Sequence, residues 1–217
     1  MTSIDNPYWD LVKDRVDPVG SLWRTPSVDS YGSSRRDIDG FLARVRQAAE
    51  TGTDRHALVK RFSWTITDPE TLAFVVEHSG GRLVDPMAGT GYWGFCLTQL
   101  GVDVVSYDIE PGTNHYHDGQ PLHGTVKQLT GVDAVRLHPD RTLFLSWPPM
   151  DESGADILDA YPGDRVIYIG EPEYGCTGEE RLWSALTKEW TEVASRVPVQ
   201  WDGLHDVVTV YTRGGAS

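Results

Sequence analysis

Short apolar runs alternate with amphipathic stretches along this chain, and the alternation predicts an architecture before any chemistry is considered. Leu83-Val84 leads into Asp85, then a glycine-rich turn, then a helix that carries on to about Leu100. A second run, Val102–Tyr107, ends on Asp108. Two more lie at Thr142–Trp147 and Arg165–Gly170, with a weaker one near Thr125–Gln128. Runs this continuous suit parallel strands covered on both faces by helices, since neither face meets water. Asp37–Ala49 places Ile38, Phe41, Leu42, Val45 and Ala48 on one helical stripe that Gly52 ends, and Ala57–Phe62 reads as a second short helix. Asp68-Pro69-Glu70 opens another, with Asp68 as N-cap and Gly80-Gly81 as its stop. A further helix spans about Gly178 to Trp190. Val193–Gln200 and Val207–Arg213, joined by the turn-rich Trp201–His205, predict a closing hairpin whose last strand runs antiparallel to the rest.

The fold class expected is therefore α/β: a doubly wound, mostly parallel seven-stranded sheet with an antiparallel last strand and helices on both faces. Residues 1–37, rich in Pro, Gly, Ser and Asp, read as an irregular arm and candidate lid, with one short helix around Trp9–Lys13 and aromatics at Tyr8, Trp9, Trp23 and Tyr31. Residues 38–217 are assigned to the domain proper.

Composition narrows the function classes. Apolar residues make up 39% of the 217 and charged residues 24%, ordinary for a globular protein. No apolar run approaches the ~20 residues of a membrane span. The first residues lack the basic and apolar regions of a signal peptide, and two cysteines, Cys96 and Cys176, suggest no disulfide framework, so a cytoplasmic location is expected. The formal net charge of −13 weighs against a nucleic-acid partner, because such affinity comes from Lys and Arg displacing counterions. A small molecule or peptide is the expected substrate, with no membrane partner; oligomeric state is not legible.

The chemistry concentrates in residues 83–94, Leu-Val-Asp-Pro-Met-Ala-Gly-Thr-Gly-Tyr-Trp-Gly. Strand, glycine turn, helix, then a second strand ending in an acid form a βαβ unit built to hold a nucleoside. Asp108 stands where a carboxylate can accept both ribose hydroxyls. Gly89, Gly91 and Gly94 also overlap the dinucleotide pattern, so an NAD(P)-linked reductase is one reading. Asp85, however, would face a pyrophosphate unfavourably and suits a cationic ligand with an amino-acid tail, which is the character of S-adenosylmethionine (SAM).

The same segment resembles motif I of class I SAM-dependent methyltransferases, and Ser146-Trp147-Pro148-Pro149-Met150 is similar to motif IV of members that act on exocyclic amines, with Trp147 at the polar position and Met150 at the aromatic one. Ser-Trp-Thr-Ile at 63–66, Tyr-Ile-Gly-Glu at 168–171 and His-Asp-Val-Val at 205–208 extend the resemblance, over roughly residues 60–213, to an uncharacterised branch of that class. It implies SAM as cofactor, with Asp85, Ala88, Gly89, Thr90 and Gly91 around the methionine moiety, Asp108 on the ribose, and Trp93, Ile109 and Ser146 completing the pocket. Acceptor-side candidates are Trp147 as an aromatic wall, Glu171 as a group holding or deprotonating an amine, and His205 as a general base. His115, His117 and His123 lack zinc spacing and read as a polar loop near the adenosine site, so no metal is expected. Methyl transfer to a nitrogen or oxygen of a small metabolite or peptide is the leading expectation. A nucleobase amine acceptor and a non-catalytic SAM-binding scaffold are the alternatives.

Overall fold

A computed structural model describes residues 4–16, 20–22 and 35–213. Seven strands form the main sheet: β2 (Arg82–Asp85), β3 (Asp103–Asp108), β4 (Val126–Gln128), β5 (Thr142–Ser146), β6 (Arg165–Gly170), β7 (Trp190–Arg196) and β9 (Val207–Arg213). Their spatial order is β4-β3-β2-β5-β6-β9-β7, parallel from β4 to β6, with β9 antiparallel to both β6 and β7. The expected doubly wound sheet with an antiparallel last strand is thus present, and strand order reverses between β2 and β5.

The continuous apolar runs sort onto two faces by their period of two. Leu83, Phe144, Ile167 and Ile169 join one core, with α4 (Pro69–His78) and α5 (Tyr92–Gln99) packed over them. Val84, Leu143, Leu145, Val166 and Tyr168 join the other, beneath α6 (Gly131–Leu137), α7 (Ser153–Ala160) and α8 (Glu180–Glu189). Truncating a fully buried ring such as Phe144 to alanine would cost about 3–5 kcal/mol.

Residues 4–16 are built into the first core. Asn6 caps α1 (Pro7–Val12) and also donates to Thr67 O at 2.7 Å, while Tyr92 Oη donates to Asn6 Oδ1 at 2.8 Å. Tyr8 is fully buried; its amide donates to Tyr92 Oη and its hydroxyl accepts from Trp201 Nε1, each at 2.9 Å. Residues 17–19 and 23–34, where Trp23 and Tyr31 of the candidate lid fall, lie outside the described residues. Beyond them, α2 (Arg35–Thr51) and α3 (Arg55–Arg61) stand where helices are expected at Asp37–Ala49 and Ala57–Phe62, each beginning two residues earlier.

Several boundaries moved for identifiable reasons. Val102 N–H bonds Leu97 O, so that residue closes α5, and β3 instead extends to Asp108, which pairs with Gln128. Trp147 leaves β5 with φ +49°. Gly178, at φ +66°, cannot be helical, and Trp190 opens β7 opposite Arg213. Gln200-Trp201 forms β8, which pairs with β1 (Ser21–Leu22) in a separate two-stranded ribbon, so the closing hairpin has a longer connection than its sequence suggested. The short α6 and α7 stand where no helix was expected from the sequence. Asp68 performs as expected: fully buried, it accepts from Thr71 N at 2.9 Å, and it also takes Val199 N at 3.0 Å, tying α4 to the β7–β8 link.

Candidate active site

The turn between β2 and α5 is shaped by backbone chemistry. Gly91 N–H donates to Ala88 O at 2.8 Å, and Ala88 N–H to Tyr107 O at 2.9 Å, which pins the turn to β3. Gly89 and Gly91 both sit at positive φ, +56° and +77°, where a side chain is strained. A Cβ on Gly89 would enter the His117 imidazole, and one on Gly91 would lie 2.6 Å from Val126 Cγ2. Asp108 is held from both sides: Oδ2 accepts from Gly89 N at 2.8 Å and Oδ1 from Glu110 N at 2.9 Å. Each oxygen keeps a second lone pair for a ligand.

Asp85 lies beneath the same turn, buried, with its Oδ1 lacking any hydrogen-bond partner. Burial pushes its carboxyl up to about 8; the Met87 amide draws it down, and the neighbouring Asp108 charge adds to the rise. Such a group is relieved by a cation placed beside it.

A cavity of about 770 Å3 opens over the carboxyl ends of β2, β3 and β5, where strand order reverses and ligands of open α/β sheets bind. Gly89, Asp108, Ile109, Ser146 and Trp147 line it. Ile109, 63% exposed, offers an apolar flank next to Asp108. Four of the other sequence candidates stay behind the turn. Thr90 is fully buried and its hydroxyl donates to Phe62 O at 2.6 Å; Gly91 faces β4; Ala88 acts through its backbone; Trp93 packs edge-on against Phe144 at 5.4 Å in the first core. These four shape or support the turn and do not line the cavity.

Opposite the glycine turn stands an aromatic wall. Trp147 stacks on Trp64 at 4.7 Å, and Tyr116 meets Trp64 edge-on at 6.0 Å. Trp147 is kept at its positive φ by bonds at both ends. Its amide donates to Ile169 O at 2.7 Å, and its Nε1 donates to Thr65 Oγ1 at 2.8 Å and more weakly to Asp206 Oδ2 at 3.3 Å. Thr65 Oγ1 in turn donates to Asp206 Oδ2 at 2.6 Å. A non-glycine residue at such φ costs about 1–3 kcal/mol and persists only where its surroundings over-determine it. Burial raises the Asp206 carboxyl to about 6 against the bonds from Thr65 and Trp147, and its Oδ1 has no hydrogen-bond partner.

Glu171 and His205 do meet, but outside the cavity lining. Glu171 Oε2 accepts from Cys176 N at 2.8 Å and Oε1 from His205 N at 3.1 Å, so this buried carboxylate gathers two loops. Burial tends to raise its pKa, yet the bonds from Cys176 and the His205 amide outweigh that and leave it lowered. The His205 side chain is 80% exposed, its Nδ1 3.8 Å from Glu171 Oε1. In the short link just before β9, Asp206 turns inward and is buried while His205 turns outward. Thr65 and Asp206 as supports of Trp147, and Tyr116 as a lining residue, were not picked out by sequence reasoning, whereas His115 and His117 of the polar loop singled out there do line the cavity.

No family model and no curated protein matches this chain. Solved structures do. One from work on the conversion of a disulfide bond into a thioacetal group during echinomycin biosynthesis is 15% identical, covering 80% of this chain and 94% of that one, at a TM-score of 0.50. The magnesium protoporphyrin IX methyltransferase of Synechocystis PCC 6803 with bound SAM is 14% identical over 99% and 100%, at 0.48. The N-methyltransferase NodS of Bradyrhizobium japonicum WM9 is 10% identical over 67% and 94%, at 0.45. The strand order and antiparallel β9 are those of the class I methyltransferase fold. Among the described residues, no helix is long and apolar enough to cross a membrane.

Proposed function

We propose that a chain with this fold binds SAM in the β2–β3–β5 cavity and transfers its methyl group to a nitrogen or oxygen of a small metabolite or peptide. The observation that carries the reading is the pair of strand-end carboxylates. Asp85, buried with one oxygen unpartnered, fits the α-ammonium of the methionine part, and Asp108, fixed by two amides at the cavity edge, fits the ribose hydroxyls. Gly89 leaves the turn without a side chain on the cavity side, and His117 borders it there. Ile109 supplies an apolar flank for the adenine, and Ser146 lies at the β5 edge.

SAM, when bound, supplies an electrophilic methyl on a sulfonium. The residues of this chain position the acceptor and exclude water, which is most of what an in-line displacement asks of a protein. Trp147, locked by Thr65 and Asp206 and stacked on Trp64, gives the acceptor a fixed wall rather than a mobile one. His205, pointing outward, is not assigned the proton transfer. Glu171 acts as a positioning residue, holding the Cys176 loop whose side chain lines the cavity.

Incubating the protein with deuterated-methyl SAM and cell extract, followed by untargeted mass spectrometry, tests this reading. Label on a small acceptor is expected. Label confined to nucleic acid would replace the acceptor class, and no transfer beyond buffer background would favour a non-catalytic scaffold.

A further inference from the structure

Beside the main cavity opens a smaller one of about 440 Å3, which shares Trp64, His115 and Tyr116 with it. The rest of its described lining is Arg55, His56, Val59 and Lys60, all from α3. The spacing of those residues puts them on one face of the helix. In a chain with a net charge of −13, this lining carries two cations and two imidazoles and no carboxylate.

The two cations differ. Lys60 Nζ is taken by Asp118 Oδ2 at 3.0 Å. Arg55, half-buried, has no hydrogen bond or ion pair among the described residues. It shares the cavity lining with Trp64, which stacks on Trp147, and its charge reaches Asp206 and Tyr8 only through space. A partly desolvated guanidinium with unused donors is an unfavourable arrangement unless something anionic meets it. Its planar fork matches a carboxylate or a phosphate.

We propose that this second cavity receives an anionic group of the methyl acceptor, a carboxylate or a phosphate, held chiefly by Arg55. The apolar or planar body of the acceptor then lies along Trp64 and Tyr116 and presents its nucleophile to the main cavity. The inference rests on the methyl-transfer reading and narrows it to small acid-bearing acceptors. A polynucleotide fits less well, because the prevailing negative charge of the chain repels a phosphate backbone.

Tryptophan fluorescence and calorimetric titrations with phenyl phosphate, benzoate, inorganic phosphate and neutral benzyl alcohol test the proposal. The two aromatic anions are expected to bind about tenfold or more tightly than benzyl alcohol or inorganic phosphate, and Arg55→Gln should remove that advantage. S-adenosylhomocysteine affinity should be unchanged in the variant. Lys60→Gln, whose native partner is exposed, provides a second reading should Arg55→Gln fold poorly, with a smaller weakening expected. Aromatic anions binding no better than benzyl alcohol would overturn the proposal, as would either folded variant retaining the full advantage. Inorganic phosphate matching phenyl phosphate would overturn it too, because the cavity would then be a free-anion site. Should S-adenosylhomocysteine fail to bind while the aromatic anions bind through Arg55, the methyl-transfer reading falls and the anion site stands.

Discussion

The two sides of the cavity are built by different means. On the β2–β3 side, the cavity edge is fixed by backbone: a turn at positive φ and a Gly89 amide that holds Asp108, with a second carboxylate, Asp85, buried beneath the turn a short way along the chain. On the β5–β6–β9 side it is side chains meeting across great sequence distance, with Thr65 and Trp147 separated by 82 positions and Thr65 and Asp206 by 141. The first side is fixed by local turn chemistry and fails when the backbone is strained. The second is fixed by a hydrogen-bonded support and fails when a partner is removed or its charge changes.

Breaking the backbone side should have the largest effect. Gly91→Val adds a branched side chain at φ +77° and drives its Cβ toward Val126, so a stability loss of about 3 kcal/mol or more is expected in urea denaturation. A loss within the error of the fit would mean the turn can relax. The buried carboxylates come next. Folded Asp85 keeps its proton up to about 8, whereas the unfolded chain releases it near 4. Between those values the folded state holds the extra proton, so stability of the ligand-free protein should decline as pH rises from about 4 to about 8. Asp206 adds to the decline between about 4 and about 6. Asp85→Asn should flatten most of that slope and raise stability at pH 8; an unchanged slope would remove Asp85 as its source.

Thr65→Val isolates the side-chain support, since it deletes the hydroxyl shared by Trp147 and Asp206. A loss of about 2 kcal/mol is expected. The variant should slow methyl transfer more than it weakens S-adenosylhomocysteine binding; the reverse pattern would place Trp147 on the cofactor side. The smallest effect belongs to His205→Ala. An imidazole this exposed should change stability by less than about 0.5 kcal/mol and leave turnover flat across pH 6–9. A large drop in rate with a lost basic limb would restore His205 as the base.

The same division explains what could be read from the sequence. Parallel strands buried on both faces write continuous apolar runs, so β6 and β9 were legible to the residue, and the sheet class followed. Asp85, Gly89 and Asp108 announce themselves because strand, turn and acid occur in order within one βαβ unit. The same motif also drew in Trp93 and Thr90, because a spacing pattern does not reveal which side of a turn faces a ligand. Trp147 was visible beside Pro148-Pro149, but its supports, Thr65 and Asp206, belong to contacts no local pattern encodes. The sequence singled out His205 rather than its neighbour Asp206 because the packing that turns one inward and the other outward, in the link just before β9, is set by distant contacts.

The central claim is that the β2–β3–β5 cavity is a SAM site gripped by Asp108, and calorimetry with S-adenosylhomocysteine tests it most directly. Saturable heat is expected with the wild type, along with roughly tenfold or more weaker binding in a folded Asp108→Ala protein. Absence of heat from the wild type, or equal affinity in the variant, would contradict it.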